Sequence, residues 1–285
     1  MKVWIDGKIV DGPEARIPVT DHGFLYGDGV FEGIRAARRR VYRLDDHLAR
    51  LGASARAIGL TLPDGLREIV LETLRAFGRD DAYVRLIVSR GEGALGVDPT
   101  TCPRPRTVCI VDEIRIYPAE KLALGIDLAT SSWRRPAADV LDPGVKSMNY
   151  LNNALAKLEA RRRGVDEALL LNQAGLVAEA SVANVFAVTG GALLTPLPTD
   201  GALPGLTRAG VLEVAQELGI AASERSLGRV DLLRADELFL TGSGAGIVPV
   251  RSLDGESIGA GEPGPVTARV REAFPDYAFR VGTPF

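Results

Sequence analysis

Asp142-Pro143-Gly144-Val145-Lys146-Ser147-Met148-Asn149-Tyr150-Leu151-Asn152-Asn153 is the stretch on which the reading of this 285-residue chain turns. The chain has five lysines against 29 arginines, and one of the five is Lys146. Arginine stays charged and is a poor nucleophile, whereas a lysine amine can shed its proton and form a Schiff base with a carbonyl. Lys146 is therefore a candidate for covalent chemistry. Scarcity alone does not single it out, because Lys2, Lys8, Lys121 and Lys157 are also retained.

Outward from that stretch, size and composition narrow the classes. A chain of 285 residues has room for two domains sharing a cleft. With 46% hydrophobic and 25% charged residues it can bury a large core. A formal net charge of −3 gives no general attraction to nucleic acid or an anionic membrane. No apolar run approaches the roughly 20 residues of a membrane span. The N-terminus, Val3-Trp4-Ile5, Asp6-Gly7, Lys8-Ile9-Val10, reads as a hairpin and not as a signal peptide. Cys102 and Cys109 are too few for a disulfide framework or a sulfur-ligated metal site, which makes the cytosol the default location. His22 and His47 are the only histidines, so no metal-ligating pair stands at helical spacing, and a Ser-His-Asp hydrolase has little to build on.

Along the chain, strands alternate with helices. Asp45 or Asp46 caps a predicted helix running to about Ile58, with Gly59 beyond its end. Asp64 to Phe77 carries Leu66, Ile69, Val70 and Leu74 at helical spacing. Arg38-Arg39-Arg40 reads as a solvated hairpin turn, and Tyr83–Ser89 and Thr107–Val111 as strands. Gly125–Thr130 is a further strand, followed by a proline-broken loop to Gly144. Ser147 to Arg163 reads as one long helix, its terminal arginines suited to the negative end of the dipole. Hairpins follow at 168–180 and 185–195, then helices at 207–218 and 265–274 with a strand at 237–241 between them. The prediction is a mixed α/β chain with too many hairpins for a wholly parallel sheet: residues 1–114 as one domain, 115–123 as a linker, and 124–285 as a second.

Gly91-Glu92-Gly93-Ala94-Leu95-Gly96 matches a dinucleotide-binding fingerprint and follows a strand. That pattern works only where the last glycine opens a helix whose N-terminus receives the pyrophosphate. Pro99, Pro103 and Pro105 follow within nine residues of it, and no helix tolerates them. The stretch reads instead as a flexible loop over a pocket.

Four other segments join Lys146 into a chemistry. Leu203-Pro204-Gly205-Leu206-Thr207-Arg208 is a tight turn entering a helix, which leaves the N–H groups near Leu206 and Thr207 for an anion. Thr241-Gly242-Ser243-Gly244-Ala245-Gly246 offers more backbone amides and a hydroxyl, and Arg50 can add a fixed charge. Glu179 sits among small residues in Ala178-Glu179-Ala180-Ser181, so something approaches it closely. A nucleophilic lysine, an anion cradle, a phenol (Tyr150) and a carboxylate are the parts pyridoxal 5′-phosphate needs. The carboxylate keeps the pyridine nitrogen protonated, so the ring can accept electrons.

The chain resembles the class IV pyridoxal-phosphate aminotransferases along almost its whole length. The resemblance is carried by Tyr26-Gly27-Asp28-Gly29-Val30-Phe31-Glu32-Gly33-Ile34-Arg35, His47-Leu48-Ala49-Arg50-Leu51, Tyr83-Val84-Arg85, Lys146 to Asn153, the Glu179 segment with Asn184-Val185-Phe186, and Leu203 to Arg208. It implies two α/β domains with the cofactor between them, and a homodimer whose sites lie near the subunit interface. It implies that Lys146 carries the cofactor as a Schiff base and that Arg50, Leu206, Thr207 and Ser243 hold its phosphate. Tyr150 then meets the ring hydroxyl, Glu179 the ring nitrogen, and Leu203 packs on the ring.

The segments around Tyr26, Phe31, Arg35, Tyr83 and Arg85 look like the branched-chain subgroup, with aromatic and apolar walls for the side chain. By that resemblance Tyr83, Arg85 and the amides of Gly244 and Ala245 receive the substrate carboxylate. The implied reaction passes an amino group from a branched-chain or other hydrophobic amino acid to a 2-oxo acid such as 2-oxoglutarate, by a ping-pong mechanism. Two positions depart from the subgroup: Gly246 stands where a glutamate is usual, and Val182 where a glycine or serine is usual. They keep open a transaminase for D-amino acids or (R)-amines, and behind it an aminodeoxychorismate lyase. A non-enzymatic phosphate- or nucleotide-binding protein built on the loops at 91–96 and 242–246 is the alternative from another class.

Overall fold

The computed structural model describes residues 1–113 and 116–285. In chain order the first elements are β1 (Lys2–Ile5), β2 (Lys8–Asp11), α1 (His22–Tyr26), β3 (Gly29–Ala37), β4 (Arg40–Tyr42), α2 (Leu44–Ala57), α3 (Leu66–Phe77), β5 (Ala82–Ser89) and β6 (Arg106–Asp112). Next come α4 (Ala119–Leu124), β7 (Ile126–Arg134), α5 (Ala138–Leu141), α6 (Leu151–Arg162), β8 (Glu167–Leu171), β9 (Val177–Ala180), β10 (Asn184–Thr189) and β11 (Ala192–Thr195). The last are α7 (Leu206–Glu217), β12 (Ala222–Glu224), α8 (Arg229–Leu233), β13 (Glu237–Gly242), β14 (Gly246–Leu253), β15 (Glu256–Ser257), α9 (Pro265–Arg280) and β16 (Gly282–Pro284).

These elements form two compact units. One comprises Met1–Ile114, Val145–Asn149 and Ala278–Phe285; the other comprises Arg115–Gly144 and Tyr150–Tyr277. The boundary expected at 114 and the first residue of the expected linker, 115, lie outside the described residues. Most of the remaining linker is helical, since α4 begins at Ala119. The stretch 124–285 is not one continuous unit, because 145–149 and 278–285 cluster with the first sheet.

The first unit holds a seven-stranded sheet in the order β16-β4-β3-β5-β6-β1-β2, antiparallel at every pairing. The two-residue period of a strand sorts its side chains by face. Val30, Ile34 and Ala36 of β3, with Val84, Leu86 and Val88 of β5, join Leu44 and Leu51 of α2 and Leu74 of α3 in one buried core. Burial of each such large aliphatic side chain contributes about 1.5–3 kcal/mol. Phe31, Gly33 and Arg35 alternate to the opposite face and lie across from Ile87, Arg85 and Tyr83.

The strand β4 pairs with β3 only at Ala36 and Ala37. The edge of β3 near Gly29–Phe31 is taken instead by the lysine segment: Phe31 N–H donates to Lys146 O at 3.0 Å and Met148 N–H to Gly29 O at 2.9 Å. That pairing corrects the long helix read from Ser147. Ser147 and Met148 are committed to a strand edge, and the helix starts at Leu151.

The second unit holds a nine-stranded mixed sheet in the order β12-β11-β10-β13-β14-β7-β8-β9, with β15 on β14. Its parallel pairs are β11–β12, β14–β7 and β7–β8. The hairpins expected at 168–180 and 185–195 form as β8–β9 and β10–β11. Ala156 and Ala160 of α6 pack on Ala168 and Leu170, small residues that let the helix lie close to the sheet. The last helix runs past the expected residue 274 to Arg280, with Pro275 inside it. Downstream of the glycine-rich stretch 91–96 comes a single 3-10 turn, Pro99–Thr101, and then β6; no α-helix follows to receive a pyrophosphate.

Candidate active site

Lys146 is fixed through its backbone before its side chain is considered. Its carbonyl accepts from Phe31 N–H, and its own N–H donates to Ser54 Oγ of α2 at 3.1 Å. Its Nζ then stands 4.7 Å from the centroid of the Phe31 ring, and the Arg85 guanidinium carbon stands 4.4 Å from that same centroid. Arg85 Nη2 donates to the Tyr83 hydroxyl at 3.4 Å. Gly33 makes this arrangement possible, because a Cβ there would lie 2.0 Å from the Tyr83 oxygen. Lys146, Phe31, Tyr83 and Arg85 are thus gathered on one face of the first sheet.

On its other face, between sheet and α2, lies a charged triad. Glu32 is fully buried and accepts from Arg50 Nε at 2.8 Å, Arg50 Nη2 at 2.7 Å and His47 Nδ1 at 2.7 Å. Burial raises the Glu32 carboxyl, but the hydrogen bonds from Arg50 and His47 and the charge of Arg50 outweigh it and hold the group at about 2. His47 is pushed below its ordinary range, first by burial, against the raising effect of Glu32. It is therefore a neutral ring with its proton on Nδ1, and its Nε2 has no hydrogen-bond partner. The three-residue spacing from His47 puts Arg50 about one helical turn along α2, in reach of the same carboxylate.

In the second unit Glu179, on β9, is buried and held on both oxygens. Oε1 pairs with Arg135 Nη2 at 2.8 Å; Oε2 accepts the Leu203 N–H at 3.0 Å and Asn184 Nδ2 at 3.2 Å. Asn184 also donates to Leu203 O at 2.8 Å, which fixes the turn ahead of α7. That helix begins at Leu206 after Gly205, where a Cβ would meet Asn184 Oδ1 at 2.0 Å. The N–H groups of Leu206 and Thr207 lie ahead of the first intrahelical bond, made by Ala209 to Gly205 O, at the positive end of the dipole. Ser243, Gly244 and Ala245 form the turn between β13 and β14, just beyond the buried Thr241, whose hydroxyl has no hydrogen-bond partner. Gly246 has a φ of +72° with nothing within 4 Å of a Cβ, so its turn, not crowding, favours glycine there.

Tyr26, Arg35 and Tyr150 take the following places. Tyr26 is 37% exposed, and its hydroxyl accepts from Gly96 N–H at 2.9 Å, tying α1 to the loop after β5. Arg35 is exposed on β3, and Tyr150 is half-buried at the start of α6. Glu32, Arg135 and Asn184 were assigned no role from sequence. Glu32 did leave a trace: between Val30 and Ile34 it occupies an inward position of an alternating strand, where a carboxylate needs a cationic partner. Arg135, between Arg134 and Pro136 in a proline-rich stretch, left none.

The Amino-transferase class IV family model matches residues 29–253. The chain belongs to the class IV aminotransferases. A protein of Methanocaldococcus jannaschii, provisionally named a branched-chain-amino-acid aminotransferase, is 45% identical over 285 residues, spanning 99% of this chain and 98% of its own. The solved branched-chain amino acid aminotransferase of Escherichia coli superposes with a TM-score of 0.92 at 35% identity, over 99% of this chain and 94% of that one. That of Thermobaculum terrenum, solved in its pyridoxal-phosphate holo-form, gives 0.87 at 29% identity over 98% of this chain and 94% of that one. These relatives favour the branched-chain expectation for this class IV aminotransferase over the D-amino-acid, (R)-amine, lyase and non-enzymatic alternatives. Among the described residues of this family member, no helix is long and apolar enough to cross a membrane.

Proposed function

We propose that this class IV aminotransferase uses pyridoxal 5′-phosphate to move an amino group from a branched-chain or other hydrophobic amino acid to a 2-oxo acid such as 2-oxoglutarate. The cycle is ping-pong. The observation that carries the reading is Lys146, pinned by its backbone to β3 and α2 with its amine over the Phe31 ring, which Arg85 also meets. The groups in the chain fit the cofactor: an amine for its aldehyde, an anchored carboxylate for its ring nitrogen, and helix-start amides for its phosphate. The unpartnered hydroxyl of buried Thr241 beside the 243–245 turn agrees with a polar occupant there.

In this reading the N–H groups of Leu206 and Thr207, the Ser243 hydroxyl and Arg50 hold the phosphate. Tyr150 bonds the ring hydroxyl, Glu179 the ring nitrogen, and Leu203 packs against the ring. The bound cofactor supplies an aldehyde and an electron-withdrawing ring that makes the donor's Cα proton removable. Lys146 would hold the cofactor through its aldehyde carbon, and its Nζ, freed when the donor's amine takes that place, would accept the Cα proton and deliver it to the former aldehyde carbon, so one residue would serve as base and acid. Arg85, Tyr83 and the amides of Gly244 and Ala245 orient the donor carboxylate, while Tyr26, Phe31 and Arg35 line its side chain. The protein works as a cytosolic homodimer.

Half-reactions followed by loss of the cofactor's visible absorption test the substrate. L-Leucine reacts faster than D-alanine or (R)-1-phenylethylamine; the reverse order overturns the branched-chain assignment. Lys146→Ala removes both turnover and borohydride-sensitive colour, and a variant retaining either removes the lysine's role.

A further inference from the structure

Asn153 closes the lysine motif, yet none of the roles above uses it. Its Nδ2 donates to Ser181 O at 2.6 Å, and its Oδ1 accepts from Arg135 Nη1 at 3.4 Å. Arg135 follows β7 and is 7% exposed. Its Nη2 meets Glu179 Oε1 at 2.8 Å, its Nε donates to Gly201 O at 3.2 Å, and its backbone N–H donates to Leu171 O at 2.9 Å. Each of its three guanidinium nitrogens is directed at a different acceptor, so the planar fork has one orientation. The neighbouring Asn152 donates to Arg134 O at 3.0 Å and steadies the same stretch of chain. The lattice continues inward: the Ser181 hydroxyl donates to Glu167, which also pairs with Lys157 at 2.7 Å and accepts from Tyr117 at 3.1 Å.

We propose that Arg135, oriented by Asn153, is a positioning residue that holds Glu179 as an anion in one orientation for the cofactor's ring nitrogen. The assignment rests on the reading that Glu179 meets that nitrogen. A carboxylate this buried takes up a proton unless a cation stands beside it. Once neutral, it no longer stabilises a protonated pyridine. The Leu203 and Asn184 donors are uncharged and both lie on Oε2, whereas Arg135 places a positive charge at Oε1. Lysine cannot replace it fully, because one ammonium does not reach Glu179, Asn153 and Gly201 O in fixed directions at once.

The test uses the cofactor-stripped full chain titrated with pyridoxal phosphate and with its 1-deaza analogue, in which C–H replaces the ring nitrogen. Arg135→Met weakens pyridoxal phosphate binding about tenfold while leaving the analogue within about twofold, the scale typical of outer-sphere partners. Asn153→Ala has the same selective effect in smaller measure, and Arg135→Lys restores part of the preference. Equal weakening of both ligands, or no weakening of either, overturns the proposal. Where Arg135→Met does not fold, Asn153→Ala and Arg135→Lys carry the same comparison. Glu179→Gln separates the two readings. If it leaves the preference for the ring nitrogen intact, Glu179 does not meet that atom; if it abolishes the preference while the Arg135 and Asn153 variants keep it, only the positioning role fails.

Discussion

Arg50 grips Glu32 with two prongs of its guanidinium, Nε at 2.8 Å from one carboxylate oxygen and Nη2 at 2.7 Å from the other. A bidentate pair fixes the plane and direction of the arginine as well as its charge. His47 completes the group from one turn earlier on α2. A cation proposed to hold phosphate is thus aimed from behind by an anion that water does not reach.

The triad predicts how stability depends on pH. Glu32 titrates at about 2 in the folded chain, below its ordinary 4.5, so the unfolded chain takes up that proton first on acidification. Its contribution, about 3 kcal/mol, is present above pH 4.5 and is lost as pH falls toward 2. His47 is also held below its ordinary 6.5, chiefly by burial. The unfolded chain therefore gains protons below pH 6.5 that the folded chain refuses, and stability falls there too. Thermal melts of the wild type and His47→Asn from pH 7 to 5 check this, and the variant loses less of its melting temperature over that interval. Equal losses mean that His47 is protonated in the folded state.

Removing the anion costs more than the pair contributes. Glu32→Ala leaves a guanidinium and an imidazole N–H facing an apolar core, and breaking a buried pair in this way destabilises by about 3–5 kcal/mol. Glu32→Gln keeps one acceptor oxygen and loses less. Urea unfolding gives the order wild type, Gln, Ala. A Glu32→Ala midpoint equal to that of the wild type means that the carboxylate carries no net charge in the folded protein.

The elements set by local pattern were legible in sequence, and those set by distant partners were not. The Arg38-Arg39 turn was readable because it joins adjacent strands; both residues have positive φ, 51° and 58°. The β8–β9 and β10–β11 hairpins were readable for the same reason. Ser147 and Met148 were read as helix because their strand partner, β3, lies more than a hundred residues upstream. Lys146 was legible as chemistry, but the serine that holds its N–H lies on α2. The sequence pattern offers Asp45 or Asp46 as the cap of α2. The N-cap is Arg43, in the left-handed region at φ 45°, and the two acids sit in the first turn, where they still complement the dipole. Glu179 was flagged by its small neighbours, whereas the arginine that balances it comes from a loop with no periodicity to read.

Gly205 is predicted to tolerate no side chain. Its φ of −71° is open to any residue, so the obstacle is steric: a Cβ would sit 2.0 Å from Asn184 Oδ1. Asn184 cannot easily retreat, because its amide group serves both Glu179 and Leu203 O. Gly205→Ala therefore destabilises by about 1–3 kcal/mol, as overpacking does, and weakens cofactor binding. In Gly205→Ala/Asn184→Ala the clash is gone, so the double variant is more stable than the sum of the single losses. Strict additivity in denaturant unfolding means that the two positions do not touch.

Gly33 looks similar and is predicted to behave differently. Its Cβ would also meet an atom at 2.0 Å, but that atom is the Tyr83 hydroxyl, the far end of a side chain that can swing. The backbone of β3 is extended at this position, and alanine is favoured over glycine in a strand interior by about 0.5–1 kcal/mol. Gly33→Ala therefore leaves stability unchanged or slightly raised, while the phenol is driven away from Arg85. If Tyr83 and Arg85 together receive the donor carboxylate, the loss of one hydrogen bond to a charged group costs about 1.5–3 kcal/mol. KM for the amino donor then rises about tenfold or more, and the single-turnover rate at saturation changes far less. Tyr83→Phe produces the same KM increase in the wild-type background and little further change on Gly33→Ala, because the hydroxyl it removes has already been displaced. A Gly33→Ala variant with unaltered KM, or a Tyr83→Phe effect that persists in full on top of it, takes the phenol out of carboxylate binding.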